Sequence, residues 1–295
     1  MLKDTAFSPI NFPLVASVVV PSLRPTSGLL RLLESLETQT FDFRQIVIVD
    51  QSDGLDSLKI ISNYKGRLKN CIEVVRSQPG LSKARNAGLR CLHSGWDVVL
   101  LPDDDVWLAS DAGCAIADAL SRGMTAGSGR LRPESSDKGN RIAFPDAQTD
   151  ITRDNVWRTS IEACYFLTPS FVSTVGLYDE DLGIGSPSPW QSGEGTDLLL
   201  RGLTLGHAIA FIPGYELVEG DGPQLDRAVR RTRLRKYARG TGRVYARNYP
   251  RQKCVMLVAR SLSRLVIQSM GGSEALGDNW QILLGRVEGL AGRVL

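Results

Sequence analysis

The chain has 295 residues, 42% hydrophobic and 23% charged, an ordinary globular composition that excludes collagen-like, coiled-coil and disordered classes. Its 35 Lys and Arg against 32 Asp and Glu leave a net charge of only +3, too small to name a polyanionic partner from the total. Five widely spaced cysteines without a C-x-x-C pair imply reduced thiols, and two histidines leave little material for a His-rich zinc site or a Ser-His-Asp triad. No run approaches the roughly 20 apolar residues of a membrane span. Residues 1–13 lack the basic and apolar regions of a signal peptide, so the expected location is cytoplasmic. The length suits one large α/β domain with an appendage, or two domains.

Leu14 to Val20 is a short β-branched run closed by Pro21, the pattern of a strand buried on both faces. After a turn at residues 24–28, Leu29, Leu32, Leu33 and Leu36 recur at helical spacing with charged residues between them. Ile46–Val49 is a second buried strand ending at Asp50, followed by a weaker helix to about Lys65 and a third strand from Cys71 to Val75. Pro79-Gly80 turns the chain. Ser82 is placed to cap a helix whose small face, Ala84, Ala87, Gly88, Cys91 and Leu92, requires close packing. Val98–Leu101 is a fourth buried strand, ending at Pro102-Asp-Asp-Asp105 before a helical stretch from about Ala109 to Ser121. Alternating strands and helices over 120 residues predict a mainly parallel sheet with helices on both faces.

Gly127 to Asp154 reads as a long irregular lid or binding loop. Ser160 to Leu167 is strand-like, Pro169 to Val175 a short helix, Gly183 to Gly195 a loop, and Thr196 to Leu205 a helix. From Arg227 to Lys253 there are eleven Lys or Arg and no acid, and apparently helical segments follow to Leu295. The division read from this pattern is an α/β domain over 1–220 and a basic, mainly helical extension over 221–295.

In an open parallel sheet, ligands bind beyond the carboxyl ends of the strands, where strand order reverses. Asp50 and Asp53 follow the second strand, and Asp103, Asp104 and Asp105 follow the fourth. Three consecutive carboxylates either cap a helix start or repel one another enough to call for a hard cation, Mg²⁺ or Mn²⁺.

Four segments in register carry a resemblance: Val18-Val-Val-Pro-Ser22, Ile46-Val-Ile-Val-Asp50-Gln-Ser52, Gly80-Leu-Ser-Lys-Ala-Arg-Asn-Ala-Gly88 and Leu101-Pro-Asp-Asp-Asp-Val106. They resemble the nucleotide-sugar half of family 2 glycosyltransferases. The likeness continues through Tyr178–Gly185 and Gly193–Arg201, covering roughly residues 15 to 215. The resemblance implies a GT-A fold, α/β around a mostly parallel central sheet, and inverting transfer from a nucleotide-sugar donor. It implies that Pro21, Ser22, Asp50 and Ser52 surround the base and ribose, and that Lys83 and Arg85 lie near the nucleotide. Asp103 to Asp105 matches the DXD element, with Asp105 as direct metal ligand, Asp103 as a second metal ligand, and Asp103 and Asp104 nearer the nucleotide.

Relatives often place the general base in a Glu-Asp pair opening a helix. Here the matching string is Gly193-Glu-Gly-Thr-Asp197, which puts Gly195 at the usual position and leaves Glu194 or Asp197 to supply the carboxylate. Where many relatives carry a metal- or diphosphate-binding histidine, this chain has Glu219 and Asp221, so Glu219 is a candidate third ligand.

The Arg230 to Arg243 run reads as a solvated or ion-paired face or as a contact for diphosphate or anionic lipid; Gly240 and Gly242 suggest a turn near a phosphate. Without an RRM or zinc-finger signature, nucleic acid is the weakest partner class. Within Cys254 to Met270, Val255, Val258, Leu262, Leu265 and Val266 share one face, which docks on the domain or lies at an anionic membrane surface near a lipid-linked acceptor. The expected acceptor is a carbohydrate or lipid-linked hydroxyl in surface polysaccharide or glycoconjugate assembly. Two rivals remain: a nucleotidyltransferase, whose Gly-rich loop after the first strand is missing here, and a catalytically silent homologue that binds a nucleotide sugar or polyanion.

Overall fold

The computed structural model describes residues 13–54, 56–109, 111–135, 142–220, 226–268 and 273–295. The chain forms two compact units. The first comprises Met1–Gln78, Ala84–Leu177 and Leu199–Asp221; the second comprises Pro79–Lys83, Tyr178–Leu198 and Gly222–Leu295.

In the first unit the apolar runs become β1 (Val15–Ser22), β2 (Asp42–Asp50), β3 (Ile72–Arg76) and β4 (Val98–Leu100), all mutually parallel. Helices α1 (Ser27–Glu37), α2 (Asp56–Asn63) and α3 (Leu81–Arg90) make the crossovers, α3 beginning in the second unit and continuing into the first. Thr26 caps α1 by accepting from the Gly28 N–H, and Leu29, Leu32, Leu33 and Leu36 are fully buried, as their spacing requires. A Cβ at Gly88 of α3 would lie 2.3 Å from Val19 Cγ1, so this helix meets the sheet at backbone distance.

The chain continues through β5 (Val106–Leu108), α4 (Gly113–Ser121), β6 (Ala126–Pro133), β7 (Thr149–Asp150), α5 (Val156–Thr159), β8 (Tyr165–Leu167), α6 (Pro169–Val175), α7 (Glu194–Thr204) and β9 (Ile209–Glu219). The sheet order is β3-β2-β1-β4-β8-β6-β9-β5, with β7 also on β9. Strand β8 runs antiparallel to β4 and β6, and β5 antiparallel to β9.

Three expectations need correction. The stretch predicted as a loop from Gly127 begins inside β6, paired with β8 and β9. Its glycines mark close neighbours rather than looseness: a Cβ at Gly127 would lie 2.4 Å from the Phe166 ring, and one at Gly129 2.1 Å from the Tyr215 carbonyl. Residues 136–141 of that stretch lie outside the described residues. The segment after Asp105 is first a strand, β5, and only then a helix. Strand β9 went unread because Pro213 and Gly214 interrupt its apolar pattern, which mimics a turn.

The second unit contains α8 (Arg227–Asn248), α9 (Arg251–Gln268) and α10 (Ser273–Ala291). Gly240 and Gly242 lie within α8, not in a turn. A Cβ at Gly242 would lie 2.3 Å from the Arg286 carbonyl, and Cβ atoms at Gly285 and Gly289 of α10 would lie 2.3 and 2.1 Å from the Arg235 and Arg239 carbonyls. Small residues therefore let α8 and α10 approach backbone to backbone. Arg230 and Arg231 pair with Asp278 at 2.9 and 3.2 Å, and Arg235 and Arg239 pair with Glu288. Much of the basic run is thus an ion-paired face, its carboxylates supplied by a helix about 50 residues onward.

Candidate active site

Strand order reverses between β1 and β4: β2 and β3 lie on one side of β1, while β4 follows on the other. The carboxyl ends of these two strands open the crevice where an α/β sheet accommodates ligands. Ser22 ends β1 and Asp103 to Asp105 follow β4, and the Ser22 hydroxyl donates to the Asp104 carboxylate across this opening. Burial pushes the Asp104 carboxyl up to about 7; the neighbouring charges of Asp105 and Asp103 add to the rise, against the Ser22 hydrogen bond. Asp105 is exposed and Pro21 buried, opposite Val49 in the β1–β2 ladder.

Asp103 is held differently. Arg85, fully buried on α3, donates to the Asp103 carboxylate at 2.7 Å and to the Leu101 carbonyl at 3.4 Å. Its guanidinium also pairs with Glu162, in the short 3-10 turn Glu162–Cys164 just before β8. A buried guanidinium between two carboxylates fixes the first aspartate against the end of its own strand. Glu162 was not among the residues anticipated, because nothing in its local pattern separates it from the strand-like run around it. The buried Cys164 thiol beside it is raised well above its ordinary value, by burial first and then by the charges of Asp103, Glu219 and Glu216.

Asp50 at the end of β2 is fully buried. One oxygen accepts from the Ser52 N–H at 2.7 Å and hydroxyl at 2.6 Å, and the other from the Ser57 N–H at 2.9 Å. Burial alone would raise this carboxyl, but these donors outweigh it and hold it below the usual carboxylate range. Asp50 and Ser52 thus shape the loop into α2.

In the second unit, Gly80 and Gly185 adopt φ values of +138° and +76°, open to glycine at little cost, and the Leu81 N–H donates to the Ile184 carbonyl at 2.8 Å. Ser82 lies inside α3 rather than capping it; its hydroxyl donates to the Leu182 carbonyl at 2.6 Å. Lys83 is half-buried in the first turn of α3. Glu194 and Asp197 occupy the first turn of α7, only 4% and 5% exposed. A Cβ at Gly183 would lie 3.0 Å from the Glu194 carboxyl carbon, and Asn248 of α8 donates to Asp197 at 3.0 Å. Arg201, one turn on in α7, donates to the Val175 and Leu177 carbonyls.

Glu219 ends β9 opposite Val106, and the Gly220 N–H donates to the Asp105 carbonyl at 3.3 Å. Asp221 lies outside the described residues. Among the described residues no group of three or more His, Cys, Asp or Glu side chains is gathered to hold a metal, so the anticipated Asp103, Asp105 and Glu219 set does not form a preassembled cage. Asp103 is ion-paired with Arg85. The adjacent run of carboxylates, one of them raised by burial and by its neighbours, still has the donor chemistry of a hard cation site completed by phosphate and water.

The model of the family described as Glycosyl transferase family 2 matches residues 17–173. No curated protein matches the chain. Among solved structures, S. aureus TarS 1-349 in complex with UDP-GlcNAc is similar with a TM-score of 0.59 and 14% identity, over 95% of this chain and 93% of that one. GalNAc-T7 with UDP, GalNAc and Mn²⁺ is similar with a TM-score of 0.58 and 16% identity, over 79% of this chain and 50% of that one, so this chain spans half of that relative's length. These likenesses establish the GT-A fold anticipated from the motifs.

Proposed function

Because the chain belongs to glycosyl transferase family 2, we propose that it moves a sugar from a nucleotide-diphosphate donor to an acceptor hydroxyl with inversion at the anomeric carbon. The observation that carries this reading is the acidic edge at the β1/β4 opening, where Ser22 donates to Asp104 and buried Arg85 holds Asp103. In this reading the loop shaped by Asp50 and Ser52 borders the nucleoside, and Lys83 and Arg85 are the basic residues assigned to its phosphates.

Asp105, with Asp103 beside it, would hold Mg²⁺ or Mn²⁺, and Glu219 is a further candidate. When bound, such a cation neutralises charge developing on the departing diphosphate. Arg85 keeps Asp103 in one rotamer, so its orientation costs nothing at the moment of reaction. A carboxylate, Glu194 or Asp197, takes the proton from the acceptor hydroxyl as that oxygen attacks. The acceptor is a carbohydrate or lipid-linked hydroxyl of the kind used in surface polysaccharide assembly. The two neighbours above were crystallised with UDP or a UDP-sugar, which makes uridine diphosphate sugars the first donors to try.

The test is thermal stability and donor turnover across a panel of nucleotide sugars, with and without Mn²⁺, for the parent, Asp105→Ala, Glu194→Gln and Asp197→Asn. A donor-specific, Mn²⁺-dependent shift lost in Asp105→Ala, with turnover lost in one of the two base variants, is the expected result. Gly195, buried and without a side chain at the family's usual base position, favours a second reading: a homologue that binds the donor without turning it over. Donor binding with no hydrolysis or transfer selects that reading, and no binding to any donor overturns both.

A further inference from the structure

Helix α9 presents an unusual outer side. Leu257 and Ser261 are buried at 7% and 2% exposure, and Arg286 of α10 donates to the Ser261 hydroxyl at 2.7 Å, which fixes the side that packs within its unit. On the remaining arc Val255, Val266 and Ile267 are 67%, 70% and 69% exposed, with Met256 and Leu262 exposed as well. Five large apolar side chains facing solvent on one helix are more than the scattered singles that need no explanation.

Their angular order names the partner. At about 100° per residue, the outward arc runs from Arg251 through Leu262, Val255, Val266 and Ala259 to Met256 and Ile267, then to Arg260, Lys253 and Arg264. The middle is apolar apart from Gln252 and Ser263, and both edges are basic. The helix contains no acid. An apolar centre with cationic margins matches a helix lying in the plane of an anionic lipid surface, its aliphatic groups below the headgroups and its guanidinium groups among the phosphates. A groove of about 490 Å³ beside the stripe, lined by Tyr249, Val255, Val258, Leu262 and Leu290 among others, offers further apolar surface. A second copy of the chain is a poorer occupant, since two-fold pairing through this stripe brings like basic margins together. No helix among the described residues is long and apolar enough to cross a membrane, so the contact is a surface one.

We propose that the outward side of α9 docks this protein on anionic membrane surfaces. The inference stands on the helix itself and holds whether or not the chain transfers sugar.

The experiment is co-sedimentation of the full chain with phosphatidylglycerol vesicles and with phosphatidylcholine vesicles, at low and high salt, beside Val255→Ser/Val266→Ser and Arg260→Gln/Arg264→Gln. Expected are binding to phosphatidylglycerol at least about tenfold tighter than to phosphatidylcholine, weakening with salt, and a loss of about tenfold in each double variant at unchanged thermal stability. Equal binding to the two lipids, or none to either, overturns the proposal. So does a parent that dimerises in solution, with dimers lost in Val255→Ser/Val266→Ser, because the stripe is then covered by a second copy. Should the valine variant unfold, the arginine variant decides alone: undiminished binding to phosphatidylglycerol vesicles counts against the proposal.

Discussion

Two carboxylates, one fully buried and one half-buried, show how differently the two units treat the same physical problem. Glu288, in the helical unit, is fully buried, and burial alone would raise it; hydrogen bonds from Arg235, Arg239 and the Leu295 N–H outweigh that and hold it at about 2. Asp104, at the sheet edge, has a serine hydroxyl and the charges of its own neighbours, and burial drives it up to about 7. The first is a compensated charge, which stabilises its surroundings. The second is a charge held under tension at the place where a ligand is expected, the usual signature of a functional edge. Arg85 repeats the compensated arrangement around Asp103 one residue away, so the edge carries a fixed aspartate beside an unfavoured one.

The largest effect should come from breaking the compensated side. Glu288→Gln leaves two arginines facing a neutral amide and should cost about 3–5 kcal/mol in a denaturant titration. Because the folded-state value of about 2 lies below the ordinary 4.5, the stabilisation by Glu288 is complete above pH 4.5 and lost as pH falls through 2. Parent and variant should therefore converge in acid, and a constant gap down to pH 2 would refute the ion-pair account.

Next come the close approaches. Gly289→Ala in α10 and Gly88→Ala in α3 each put a methyl within about 2.3 Å of a neighbour and should lose about 1–3 kcal/mol. If either variant melts with the parent, that helix contact is looser than described.

Opposite in sign is Asp104→Asn, which keeps an acceptor for Ser22 and removes the charge. In metal-free buffer at neutral pH it should gain stability, on the order of 1–2 kcal/mol, while weakening donor binding. The gain should fade as pH drops from about 7 towards 3.8, where the parent carboxyl is protonated in the folded state. Loss of stability would place Asp104 with the compensated carboxylates. Smallest are the caps, one per unit: Thr26→Ala on α1 and Asp226→Ala on α8, which accept from the Gly28 and Ala228 N–H groups, should each cost about 1 kcal/mol by thermal melting.

Much of the first unit could be read directly from the sequence. Buried parallel strands are continuous β-branched runs, and α1 shows its leucines at helical spacing, because both patterns are set by local backbone geometry and burial on known faces. The acidic run was legible for the same reason: carboxylates at strand ends fall at the ligand edge of any such sheet. Local pattern misled where glycine was concerned. Gly127, Gly129, Gly240 and Gly242 look like loop and turn markers along the chain, yet each sits in regular structure because another backbone or ring passes close by.

Only the tertiary structure decided which charges meet. Arg85 finds Glu162 across 77 positions, Arg235 and Arg239 find Glu288 about 50 positions on, and Asp197 finds Asn248 through a different helix. Spacing in sequence carries no record of such pairs, since they arise when separate elements pack. Composition counted the charges as a near balance of 35 against 32, while folding settled which of them meet inside, as Arg235 and Arg239 meet Glu288.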